Sequence, residues 1–389
     1  MNLRVVSSTH LLPILALAIL LSTSLRPASK YLGSSLWAIP YAAVGLLILA
    51  LISRSSFLQR RLLSKGFVWV VGAIFAALSA GFYQAADSLR ETLQGQDQDD
   101  CTILVIRQLL AFDFPYDQTS YFGNPCSPLF GALIPYVPFV AIGLFFLANS
   151  VLLMLAIWLG FTLSDSSHGF SLTILISLAI PQTLELMVNG SDFVFMGFGL
   201  LVLAQLLQQA ETKPKILIFA TILTAALASS RVSMPILAVA YLIWILYRHR
   251  AKFVSQFFVL GVLSLGPSLI IYLINPDEFS PLHLVSKGQR LVPGTWYLLM
   301  IVATLVGFLV GGFLVSRNCN SVTFLTVSFA PHLLFLTYGD LVFNRQYDVS
   351  TWEGASYLMV ITPLLADLIS RWVLRSTSNA VPDTSRPPD

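Results

Sequence analysis

The chain runs to 389 residues, 56% of them apolar and only 11% charged, with a formal net charge of +3. Soluble domains carry roughly a quarter of charged residues to cover their surface, so a water-soluble globular architecture is excluded. So small a net charge leaves no electrostatic footprint for nucleic acid, and its distribution along the chain carries the information instead.

Apolar runs recur from end to end, each long enough to cross a hydrocarbon core of about 30 Å as a helix. Backbone amides left unpaired in lipid are costly, and the runs lack two-residue alternation, so helices are predicted rather than a barrel. In chain order the predicted spans are residues 10–26, 35–53, 67–84, 137–163, 170–187, 192–208, 215–229, 232–248, 254–274, 295–316, 321–338 and 355–370. The first has the apolar core of a signal peptide, but no convincing small-residue cleavage motif follows, so it is read as a retained span. The expectation is an all-α, polytopic transmembrane bundle of about twelve spans. It forms one integral membrane domain over residues 1–375, followed by a polar, Pro-rich, disordered cytoplasmic tail at 376–389.

Charge sets the orientation. Arg54, Arg60, Arg61 and Lys65 form one basic loop, Lys213 with Lys215 a second, and Arg248, Arg250 and Lys252 a third. Together with Arg317, Arg371 and Arg375 they all fall on the cytoplasmic side when both termini are cytoplasmic. The stretch from Lys215 to Arg248 obeys this rule only as a tight hairpin. Its outer tip is Ser229-Ser230-Arg231, and Pro235 suits the first turn of the returning helix. The outer face then collects residues 85–136, 189–192, 275–294 and 339–354, which hold most of the acids. No internal repeat of the kind common in transporters is visible.

The long extracytoplasmic loop follows the third span. At its head QDQDD (96–100) places three carboxylates in five residues. ILVIRQLLAF (103–112) has helical apolar spacing suited to lying on the membrane surface, and FPYD, GNP and CSP read as turns. Cys101 and Cys126 share the outer, oxidising side and are expected to form a disulfide, whereas Cys319 faces the cytoplasm and stays reduced.

The order of these pieces, Asp99-Asp100, a short helix, Pro115-Tyr116-Asp117, then Asn124-Pro125 through Pro128, resembles the first catalytic loop of GT-C glycosyltransferases. The nearest branch is the polyprenyl-phosphate-mannose-dependent mannosyltransferases. NGSD (189–192), ASSR (228–231) and NPDEFSPLHLVSKG (275–288) have the look of segments in bacterial members of the superfamily. One departure is plain: in most members this loop follows the first span, whereas three predicted spans precede it here.

The resemblance implies transfer of a hexose from a polyprenyl-phosphate donor to a lipid or glycan acceptor at the outer face of a bacterial inner membrane. Such chemistry needs a carboxylate to take the acceptor's hydroxyl proton, and cations to hold the departing phosphate. Asp100 is the first choice of base, on its spacing to Pro-Tyr-Asp, with Asp99 second and Asp97 a bystander. Arg231, Lys287, Arg290 and Arg345 are the phosphate-binding candidates. Tyr116, Asp117, Asn124, Asp192 and Glu185 are the remaining substrate-binding candidates, and a divalent metal (Mg or Mn) on the acids is an open possibility.

Bland readings stand beside each of these. The acids serve equally as a solvated loop, Arg231 as an interfacial anchor, and Asp192 as a helix cap. His283 and His332 lack metal spacing and read as structural. Two other functions share the charge pattern. A transporter or flippase would place ionisable groups in broken helices, and a surface-polysaccharide polymerase or ligase would take a diphosphate-linked donor.

Overall fold

The structure, a computed structural model, describes residues 8–92, 97–283, 285–286 and 292–378. Lys287 and Arg290, two of the expected phosphate ligands, and most of the expected tail lie outside the described residues. Among the described residues the chain is helical with no β-strand, the nearest approach being one isolated bridge between Thr119 and Pro125.

Among the described residues eight helices are long and apolar enough to cross a membrane: α1 (Leu11–Leu32), α2 (Ser35–Arg54), α3 (Lys65–Ser88), α6 (Phe145–Leu163), α9 (Phe193–Ala210), α12 (Arg250–Ile274), α13 (Gly294–Ser316) and α14 (Ser321–Asn344). Between them lie α4 (Gln98–Ala111), α5 (Phe130–Ala141), α7 (Ser167–Ala179), α8 (Pro181–Val188), α10 (Pro214–Ala228) and α11 (Ile236–Arg248). Helix α15 (Thr362–Ser378) closes the chain. The protein is a multi-pass integral membrane protein.

The helices depart from the expected span boundaries in two places. Residues 137–163 are not one helix: Gly143 takes a left-handed φ of 72° and divides α5 from α6. Pro181 at the first turn of α8 has no N–H to continue the ladder of α7, and the pair bends by 71°. Among the described residues that pair, counted as one, makes nine helices of spanning length and composition, and α5, α10 and α11 are shorter apolar helices.

Helix α9 is the central post, 83% buried, while α2 and α12 are 11% buried and sit at the periphery. The main core gathers around Trp244, Phe324, Phe329 and Trp352. Close packing is permitted by small residues: on α13, Gly307 faces the Val327 carbonyl and Gly311 faces Ser328 and Phe324 of α14. A second core, built on Val105, Ile106, Tyr116, Leu133, Tyr136 and Phe145, joins α4 and the loop after it to α5 and α6 as a cap over one end of the bundle.

The contacts sort the two ends of the bundle. At one end Arg248 of α11 meets Glu211 at 3.3 Å and Asn318 at 2.6 Å, and Gln209 reaches Asp165 at 3.0 Å. Lys65, at the start of α3, stacks over Phe161 near the end of α6. The basic loops gather at this end, and the cap sits at the other. Helices α10 and α11 return as the expected hairpin, with Ser229 to Pro235 as the turn at the cap end.

Candidate functional site

Beneath the cap lies a cavity of about 860 Å³, within the range of ligand sites. One side of its wall is polar and comes from the head of α4, the following loop and the α10–α11 turn: Asp97, Ser120, Asn124, Ser127 and Arg231. The other is largely apolar and comes from α13 and α14, with Trp296, Met300, Phe335 and Leu336 beside His332. Arg26 on α1 and the acids Asp340 and Glu353 complete it.

The three carboxylates of QDQDD separate because α4 starts among them, and consecutive residues on a helix point about 100° apart. Asp97 precedes the helix and faces the cavity, accepting hydrogen bonds from the Ser120 hydroxyl and from Asn124 Nδ2 at 3.3 Å. Asp99 is buried against α3, where the Tyr83 hydroxyl donates to it. Burial raises its carboxyl to a pKa of about 6, with Asp100 and Asp87 adding to the rise and the Tyr83 bond opposing it. Asp100 accepts the Tyr121 backbone N–H at 3.0 Å. Neither Asp99 nor Asp100 lines the cavity, so of the three carboxylates in the run Asp97 is the one on its wall, the member expected to be a bystander.

Arg231 lies where the charge pattern put it, at the turn of the α10–α11 hairpin, buried and on the cavity wall. Its Nε and Nη2 donate to both oxygens of Asp192, at 2.9 and 2.6 Å, while Nη1 donates to the Ser127 hydroxyl. The guanidinium also stacks 5.1 Å from the Phe193 ring. Asp192 is fully buried and makes no side-chain cap to α9, so it serves Arg231 rather than a helix end or an open subsite.

The other expected residues scatter. Asn124 lines the cavity. Tyr116 is buried in the cap, donating to the Pro128 carbonyl at 2.8 Å and packing edge-on against Phe279. Asp117 is exposed and accepts from Gln118 at 3.0 Å. Arg345 stands behind the wall, 2.7 Å from Glu353 and 3.9 Å from Asp340. Glu185, just past the α7–α8 bend, takes Lys30 at 3.3 Å, Tyr31 at 3.2 Å and Arg26 at 3.5 Å. Of these, Tyr116, Asp117, Glu185 and Arg345 are off the cavity wall.

Residues missed by sequence reasoning form much of the wall. Asp340 and Asn344 reach it because the last turn of α14 widens into a π-helix over Asp340–Asn344. Asp340 then accepts from Asn344 Nδ2 and the Gly354 N–H, both at 2.8 Å. The sequence carried no signal for that widening. Arg26 did carry one: with Lys30 it stands at the cap end of α1, away from every basic loop.

The expected disulfide is present: Cys101 on α4 is bonded to Cys126 in the wall loop, and the Cys126 carbonyl accepts from the Ser280 hydroxyl. Cys319 is free. Among the described residues no group of three or more His, Cys, Asp or Glu side chains is placed to hold a metal ion. The arrangement thus offers three carboxylates (Asp97, Asp340 and Glu353), two buried guanidinium groups and an aromatic wall in a single cavity at the end of a helical bundle. Comparison with protein-family models, with curated proteins and with solved structures returned no match.

Proposed function

We propose that this protein is a membrane glycosyltransferase that moves a hexose from a polyprenyl-phosphate donor to a lipid or glycan acceptor in the cavity beneath the cap. The observation that carries the reading is the sharing of one cavity by Asp97, Arg231 and an apolar wall that continues down α13 and α14. A lipid-phosphate sugar needs those three things together: a base, a cationic grip and an apolar path for its chain.

In this reading the donor's phosphate rests on the polar part of the wall that carries Arg231 and Arg26, and its prenyl chain runs along Trp296, Met300 and Phe335. The acceptor hydroxyl lies on Asp97. The acceptor oxygen attacks the anomeric carbon as the bond to the phosphate oxygen breaks; Asp97 takes the hydroxyl proton, and the prenyl phosphate leaves with the bonding pair. A single displacement inverts the anomeric carbon and needs one base. Ser120 and Asn124 hold that base in place. The cap faces the outside of a bacterial inner membrane, with the basic loops and both termini in the cytoplasm.

Asp97→Asn is expected to lower transfer by at least about a hundredfold, the usual scale for loss of a general base. Asp100→Asn should leave the rate within a few-fold of wild type. Full activity in Asp97→Asn sinks this assignment of the base.

A flippase of the same lipid is the second reading, carried by the broken helix α7–α8, since transporters build their sites from such breaks. Substrate-dependent labelling of an introduced cysteine from both faces would favour it, and sugar transfer by the purified protein would exclude it as the sole activity.

A further inference from the structure

Two arginines are buried on the wall of this cavity, and they differ in one respect. Arg231 has its fork filled, with both oxygens of Asp192 in hydrogen-bonding range. Arg26 has no such bidentate partner. Its Nε and Nη1 are buried and donate to nothing, and its side chain keeps 7% of its accessible surface. Its ion pair, with Glu185 Oε1 at 3.5 Å, is too long for a hydrogen bond. The same oxygen already receives Lys30 Nζ at 3.3 Å and the Tyr31 hydroxyl at 3.2 Å.

Two cations therefore share a single carboxylate, and the cluster of Arg26 on the wall with Lys30 and Glu185 behind it carries one positive charge in excess. The other carboxylates on the wall are committed elsewhere: Asp97 to Ser120 and Asn124, Asp340 to Asn344 and Gly354, Glu353 to Arg345. A buried guanidinium with unmade hydrogen bonds is costly unless an anion meets it. Its planar fork matches two oxygens of a phosphate.

We propose that Arg26 is an anion-binding group of this cavity and that its ligand is a phosphate ester headgroup. Lys30 holds Glu185 away from Arg26 and so keeps the fork open. The identity of the ligand as a donor phosphate rests on the glycosyltransferase reading above; the charge excess does not.

Purified wild-type protein in nanodiscs is titrated with farnesyl phosphate, farnesol, inorganic phosphate and phosphatidylglycerol, following binding and thermal stability. Wild type is expected to bind farnesyl phosphate about tenfold or more tightly over farnesol, as a charge-assisted bidentate contact allows. Arg26→Gln should erase that preference while Arg26→Lys keeps part of it. Lys30→Met should weaken it, because Glu185 then closes on Arg26. The ligand-free Arg26→Gln protein should melt no lower than wild type, since Lys30 and Glu185 remain balanced; a purely structural arginine would lower it.

Binding of inorganic phosphate or phosphatidylglycerol equal to that of farnesyl phosphate, and dependent on Arg26, supports the anion site and removes the donor as its ligand. Arg26-dependent binding of farnesyl phosphate without any sugar transfer supports the site and overturns the transferase reading alone. Unchanged affinity for farnesyl phosphate in Arg26→Gln overturns the proposal.

Discussion

Single residues in this protein act through burial. Asp99 titrates near pH 6 because it is buried, so in the folded protein it holds its proton to a higher pH than in the unfolded chain. For a carboxyl with a raised pKa, stability is greatest below the unfolded value of about 4 and declines as pH rises through 6. Asp99→Asn should flatten that decline and raise the melting temperature at pH 7 relative to wild type; an unaltered pH profile from 4 to 7 would contradict the burial account. The Arg231–Asp192 pair predicts the opposite sign. Removing either partner leaves a buried charge uncompensated, and Asp192→Ala should cost about 3–5 kcal/mol in detergent unfolding. Arg231 was legible in the sequence as a lone cation at an apolar hairpin tip. Its pairing was not, because Asp192 at the start of a helix reads equally as a cap. The place of Asp97 on the wall was not legible for a related reason: spacing to a motif favoured Asp100, and only the start of α4 decides which of the three acids in five residues faces the cavity.

At the scale of elements, the cap is joined to the bundle covalently and by close contact. The disulfide ties α4 to the wall loop across 25 residues, a closure of about 3 kcal/mol in the chain-entropy model. Cys101→Ser with Cys126→Ser is expected to loosen the cap, seen as faster amide exchange over residues 97–128 with the bundle unaffected. Gly131, at the start of α5, faces the backbone of α10: a Cβ there would stand 1.9 Å from the Ala226 carbonyl oxygen, which cannot yield. The same addition at Gly311 meets the movable Ser328 hydroxyl. Gly131→Ala should therefore destabilise more than Gly311→Ala, in thermal unfolding of the two variants side by side. Most elements were legible because apolar runs and basic loops are long-range signals. The breaks were less so: Pro181 is visible in the sequence, but the left-handed turn at Gly143 and the widened end of α14 depend on packing that no local pattern announces.

For the whole molecule, charge divides the bundle into a basic end and a capped end. With Cys319→Ser as background, cysteines introduced at Asp117 and Asp348 are expected to label from outside intact cells, and those at Arg61 and Thr212 only after permeabilisation. Labelling of all four from one side would overturn the topology. The positive-inside pattern made this division legible from the sequence, and its exceptions proved as informative as the rule. Arg26 and Lys30 are cations at the wrong end for a topological signal, and Arg26 lines the cavity.

In the proposed function this cavity transfers a sugar from a lipid phosphate, with Asp97 as base. The direct measurement is transfer of labelled hexose from a polyprenyl-phosphate donor to envelope lipids by purified protein in proteoliposomes, for wild type, Asp97→Asn and Asp100→Asn. Labelled product is expected from wild type and Asp100→Asn, with its loss in Asp97→Asn at unchanged melting temperature. Equal product from all three proteins, or none from well-folded wild type across polyprenyl-phosphate hexoses, would contradict it.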